Sequence, residues 1–149
     1  TVPPPEAEVA DSRFALRTFG ERQCLFDTAL ERPVQTLELT PSVLERLGAF
    51  ARADHPSAQI VCRVDQADAR AWLVVPAGSP LARALEPSEK RALFEIVEQM
   101  HAAGFVHGHV DREHLILDPD TGDLVLLFPS EAPPLGASLD QDRLAVARL

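Results

Sequence analysis

His107-Gly108-His109-Val110-Asp111-Arg112-Glu113-His114-Leu115-Ile116-Leu117-Asp118 is the stretch that decides how this chain is read. Its first part, His107 to Glu113, is polar and reads as a loop. Its second part turns apolar at His114-Leu115-Ile116-Leu117 and reads as a strand. The turn Asp118-Pro119-Asp120-Thr121-Gly122 and the run Leu124-Val125-Leu126-Leu127-Phe128 complete a hairpin. Upstream, the spacing predicts a helix over Ser88 to Ala103, with Leu93, Ile96, Val97 and Met100 on one face and Gly104 at its end. A short strand at Phe105-Val106 is expected between that helix and the loop. Downstream, a Pro-rich bend leads to a last helix at about Leu139 to Leu149.

The first half of the chain reads as strands. Phe14 to Thr18, Cys24 to Thr28 and Val34 to Leu39 form an expected antiparallel meander. Thr40-Pro41 is a helix start, a hydroxyl at the N-cap followed by Pro. Val43, Leu44, Leu47, Phe50 and Ala51 mark the inner face of that helix, and Asp54-His55-Pro56 ends it. Ile60 to Val64 and Ala71 to Val75 form a second hairpin, and Pro76 to Pro80 reads as a linker between halves.

The loop resembles the catalytic loop of protein kinases, His-Gly/Arg-Asp-Leu-Lys-Pro-Glu-Asn-Ile-Leu-Leu-Asp. The flanks are similar in the same order. Met100 to His107 looks like the family's "LH-x-x-G-I-V-H". Leu126-Leu127-Phe128-Pro129 stands at the place of "I-Asp-Phe-Gly". Phe19-Gly20 opens the place of the glycine-rich loop, and Val34-Gln35-Thr36-Leu37 that of "Val-Ala-Ile-Lys". His55-Pro56 resembles "HPNIV", Trp72 to Val75 the strand before the hinge, and Asp142 to Ala147 the start of the large lobe's central helix. The resemblance covers 13–149 and implies an α+β, protein-kinase-like fold. That fold has a small antiparallel β lobe with one helix (13–76) and a reduced, truncated helical lobe (77–149). Residues 1–12, rich in Pro and acid, are expected to be a flexible segment.

The same resemblance implies that the chemistry is lost. Kinase catalysis positions a phosphoryl group and neutralises its charge. His109 stands at the catalytic Asp position and Asp111 at the loop Lys. His114 replaces the metal-binding Asn, Leu127 the metal-binding Asp, and Leu37 the strand Lys. Glu45 would match the regulatory-helix Glu, but it has no Lys partner. The chain has no Asn at all, and its one Lys, Lys90, precedes the long helix. Arg22 or Arg32 could contact phosphate in place of Lys. His107, Phe128 and Asp142 match architectural positions: a core ring bonding backbone, a packing residue, and a buried acid that bonds the loop backbone.

His107, His109 and His114, with Asp111 and Glu113 between them, also form an H-x-H-x4-H pattern of possible metal ligands. Packing and a decayed active site are the competing reading, which is preferred. No cofactor or metal is therefore expected.

Composition narrows the function further. The chain has 149 residues, 14 basic and 23 acidic, for a net charge of −9. That balance opposes nucleic acid and anionic membranes. No run approaches a membrane span, and Thr1-Val2-Pro3-Pro4-Pro5, without a basic region or an apolar stretch, is not expected to act as a signal peptide. Cys24 and Cys62 are isolated, so reduced thiols and a cytoplasmic location are expected. Leu139, Leu144, Val146 and Leu149 would lie uncovered in a lobe that stops early, an open apolar face for a protein partner or a second copy. The expected function is a catalytically inactive, pseudokinase-type interaction or regulatory scaffold. An atypical nucleotide-binding enzyme, or a ligand or metal sensor in the inter-lobe cleft, is the alternative.

Overall fold

The computed structural model describes residues 13–19 and 22–149, without the side chains of Thr18, Phe19, Arg22, Gln23 and Cys24. Residues 1–12 and Gly20-Glu21, the expected place of the glycine-rich loop, lie outside the described residues. The fold is α+β. β1 (Phe14–Phe19), β2 (Arg22–Asp27) and β3 (Arg32–Glu38) form the expected meander. With β4 (Val61–Asp65) and β5 (Arg70–Val74) they make a five-stranded antiparallel sheet in the order β1-β2-β3-β5-β4. The β1–β2 hairpin is closed by buried Asp27. It takes both ends of the Arg13 guanidinium, at 3.0 and 2.9 Å, and the N–H groups of Ala29 and Leu30 in the turn between β2 and β3.

Helix α1 (Pro41–Arg52) begins as its sequence predicts, with Thr40 Oγ1 accepting from Val43 N–H at 3.2 Å. Its inner face buries Leu47, Ala49 and Phe50. Helix α2 (Pro87–Ala102) starts one residue before the expected Ser88, because the cap is Glu86 and Pro87 opens the helix. Glu89 reaches back to accept from Glu86 N–H at 2.9 Å and is held by Arg83.

Two expectations are corrected. Phe105-Val106 forms no strand: Phe105 N–H bonds Met100 C=O at 2.8 Å, and its ring enters the core against Phe50. The linker Pro76 to Pro80 is partly a strand, since Ser79–Pro80 (β6) pairs with β7 (Leu115–Leu117), which pairs with β8 (Leu124–Leu126). Gly78 makes this pairing possible. Its φ is +116°, and a Cβ there would stand 2.1 Å from the Leu117 carbonyl oxygen.

Helix α3 (Leu139–Ala147) is capped by Ser138, whose Oγ accepts from Gln141 N–H. It packs along α2, and this overturns most of the expected open apolar face. Val146 is fully buried, and Leu139 and Leu149 pack against the core. Leu144 alone of the four remains exposed, at 42%. Three polar ties fasten α3. Lys90 Nζ caps it by donating to Ala147 C=O at 2.9 Å, Arg143 bonds Glu98, and Leu85 N–H bonds Leu149 C=O. The only Lys of the chain is thus a helix cap.

One core runs through both halves. Leu47 and Phe50 of α1, Leu73 of β5, Ile96 and Met100 of α2, and Leu126 of β8 all belong to it. Among the described residues no helix is long and apolar enough to cross a membrane.

Candidate functional site

The histidine loop is held by two buried side chains. Asp142, in the first turn of α3, directs its carboxylate at the loop backbone. Oδ2 accepts from His107 N–H and Oδ1 from Gly108 N–H, both at 2.9 Å. Its position at a helix N-terminus also favours a negative charge. Burial nevertheless pushes its pKa above the usual carboxylate value, against the pull of the two amides. Gly108 has φ +76°, and a Cβ there would come within 2.7 Å of Pro133 Cβ, so the loop meets the Pro-rich bend with no space between.

His107 is fully buried and uses both ring nitrogens. Nε2 donates to Leu127 C=O at 2.8 Å, and Nδ1 accepts from His109 N–H at 3.1 Å. This pair of bonds requires the neutral ring with its proton on Nε2. Burial pushes its pKa down to about 4.

The other expected site residues gather around this ring. Asp111 Oδ1 accepts from His114 N–H at 3.0 Å and meets His114 Nδ1 at 2.7 Å, closing a short 3₁₀ turn over Arg112–His114. The His114 ring stacks on His109 with centroids 5.7 Å apart and stands edge-on to His107 at 5.8 Å. His109 Nε2 reaches Ala132 C=O at 2.9 Å. The H-x-H-x4-H spacing therefore builds a stacked and hydrogen-bonded array. Among the described residues no group of three His, Cys, Asp or Glu side chains stands where one metal ion could be shared.

The remaining positions carry no charge toward the loop. Leu127 contributes its backbone, with N–H to His114 C=O and C=O to His107. Leu37 lies in β3 opposite Ala71 and packs against the core. Glu45 is exposed on α1. Phe128 is buried edge-on against Phe50, with centroids 5.3 Å apart.

Two residues that sequence reasoning passed over tie the parts together. Arg46 donates to Pro129 C=O at 3.1 Å and lies over the rings of Phe105 and Phe128. Its sequence signal is its position: it falls three after Val43 and four before Phe50, inside the apolar stripe of α1. Gln59 is buried, donates Nε2 to Val74 C=O, and accepts Phe128 N–H at Oε1, both at 2.9 Å. One amide thus joins the five-stranded sheet to the segment after β8. No periodicity marks it.

A cavity of about 480 Å³ opens beside the loop, lined by His109, Asp111, Pro134, Gln141, Ala145 and Arg148. Compared with known proteins, the chain matches no family model and no curated protein sequence.

Proposed function

We propose that the chain is a catalytically inactive protein-kinase-like domain, a pseudokinase, that works as a protein-binding, regulatory scaffold. One observation carries this reading. Asp142 and His107 hold the loop backbone as architecture, while His109, Asp111 and His114 engage one another and nearby backbone. A loop built for phosphoryl transfer would aim carboxylates and an amide at a metal and a phosphate. On the resemblance, Leu127 would take the place of one such carboxylate and Leu37 that of the strand Lys, and the only Lys caps α3.

Thermal unfolding with ATP, with and without Mg²⁺ or Mn²⁺, tests the reading. A nucleotide at a hundred times its Kd would stabilise the fold by about 2.7 kcal/mol. No shift is expected. A metal-dependent rise in Tm would refute the inactive-scaffold reading in favour of a nucleotide-binding enzyme. The cavity beside His109 and Arg148 favours a second reading, a sensor of a small polar ligand. A Tm rise with a small carboxylate or phosphate, abolished by Arg148→Ala, would support it.

A further inference from the structure

A groove of about 770 Å³ lies where the two sheets meet. Pro33 of β3, Ile60 just before β4 and Val75 just after β5 line it on one side, and Asp118, Asp123 and Val125 line it from the β7–β8 hairpin. Ile60 and Val75 are two of the few large apolar side chains left exposed, at 47% and 38%.

The β7–β8 pairing decides which backbone groups face this groove. Leu127 N–H bonds His114 C=O, and Asp118 N–H bonds Asp123 C=O, so residues 123, 125 and 127 turn their backbone toward β7. By the two-residue period of a strand, Leu124 and Leu126 turn theirs the other way. Leu126 finds partners there: its N–H bonds Ser57 C=O at 2.7 Å and its C=O accepts Gln59 N–H at 2.9 Å. Leu124 finds none among the described residues. The neighbouring chain turns off at this point, with Ala58 N–H on His55 C=O and Ser57 N–H on His55 Nδ1. In the parallel register set by Ala58 and Leu126, the partners due to Leu124 are His55 C=O and Ser57 N–H, and these two bonds engage both of them. Leu124 thus leaves one donor and one acceptor at the floor of a groove with apolar walls.

We infer that this groove is a docking slot for an extended, basic segment of a partner protein, which adds a short strand beside Leu124. An open strand edge recognises peptides through main-chain bonds and uses the walls to select alternate side chains. From strand and sheet spacings, one strand residue fills about 160 Å³, so the groove has room for about five residues. Charge chooses the partner. Asp118 and Asp123 line one end, Asp120 extends the same turn, and Arg32 is the one cation in the lining. The chain itself carries −9, so a second copy repels where a basic segment is attracted. The slot gives the proposed scaffold a place and a partner chemistry. It rests on that reading only for the expectation that a protein partner exists.

The test uses three labelled peptides of about five residues, the length that fills the groove. One alternates valine and lysine, one valine and glutamate, and one has proline in place of the central valine. The lysine peptide should bind and slow hydrogen exchange at the Leu124 amide, with the proline and glutamate peptides at least about tenfold weaker. Asp123→Arg, an exposed change that keeps the backbone bond to Asp118, should reverse the preference between lysine and glutamate. Equal binding of the proline peptide, an unprotected Leu124 amide, or no binding at millimolar peptide would overturn the slot. Silent peptides together with silent ATP would remove the slot and leave the proposed function standing. A metal-dependent ATP shift with peptide binding intact would do the reverse.

Discussion

Acid should unfold this protein through His107 before any carboxylate is reached. The ring is fully buried, with Nε2–H on Leu127 C=O and the Nδ1 lone pair on His109 N–H. A second proton must go on Nδ1, where it would face the His109 N–H and break that bond. Around the ring, His109 and His114 oppose the charge and Asp111 favours it, while burial is the largest effect. The folded pKa is about 4, against 6.5 for an ordinary histidine. The unfolded chain therefore takes up the proton first. The contribution is fully present above 6.5 and is lost as pH falls from 6.5 toward 4. Integrated over that shift, going from about pH 7.5 to about pH 5 should remove about 2 kcal/mol of stability. Asp27, held below the usual carboxylate range by Arg13, loses its contribution only at lower pH. Asp142, held above that range by burial, acts in the opposite sense, relieving its buried charge on protonation. Urea unfolding followed by the fluorescence of Trp72, the only tryptophan, measures the difference. His107→Gln supplies the control. Its amide can still reach Leu127, but it orphans the His109 N–H, so it should be less stable by about 1–3 kcal/mol at neutral pH and lose the slope. Equal wild-type stability at both pH values, or an unchanged slope in His107→Gln, would refute the reasoning.

Two further outcomes follow from buried polar groups. Gln59→Leu keeps the volume but leaves Val74 C=O and Phe128 N–H without their partner, and should cost about 2–4 kcal/mol in urea unfolding; a change within experimental error would show that the amide does not tie the five-stranded sheet to the segment after β8. The Cys62 thiol is pushed from 9.0 up to about 11, by burial first and then by Asp27, so at mildly alkaline pH iodoacetamide should modify it about 100-fold more slowly than a free thiol; mass spectrometry of the Cys62 peptide reads the rate, and free-thiol kinetics would contradict its half-buried placement beside Asp27.

What could be read in the sequence was local. Thr40-Pro41 starts α1 because a hydroxyl cap and a preset φ act within one turn. Leu93, Ile96, Val97 and Met100 predict α2 because a helix repeats its buried face every three or four residues. The two hairpins follow from alternation and turn chemistry in the same way. What could not be read was decided at a distance. Phe105-Val106 has the composition of a strand but no neighbouring edge, and the Phe105 ring is taken by Phe50, 55 positions earlier. Ser79-Pro80 becomes a strand because Gly78 lets the chain touch Leu117. Leu139, Val146 and Leu149 looked uncovered only because the face of α2 that covers them is not apparent from their own spacing.

The histidines show this limit most sharply. His107, His109 and His114 share one loop, and nothing in their residue type separates them. Asp142 does so from 35 positions away: by taking the His107 and Gly108 amides, it fixes the loop where the His107 ring must enter the core. His109 and His114 then stack outside that ring, and one nitrogen of each is already bonded to the protein. A spacing that suggests three metal ligands thus becomes one core residue and two rings packed beside it. The distinction depends on a single buried carboxylate in the helix that follows.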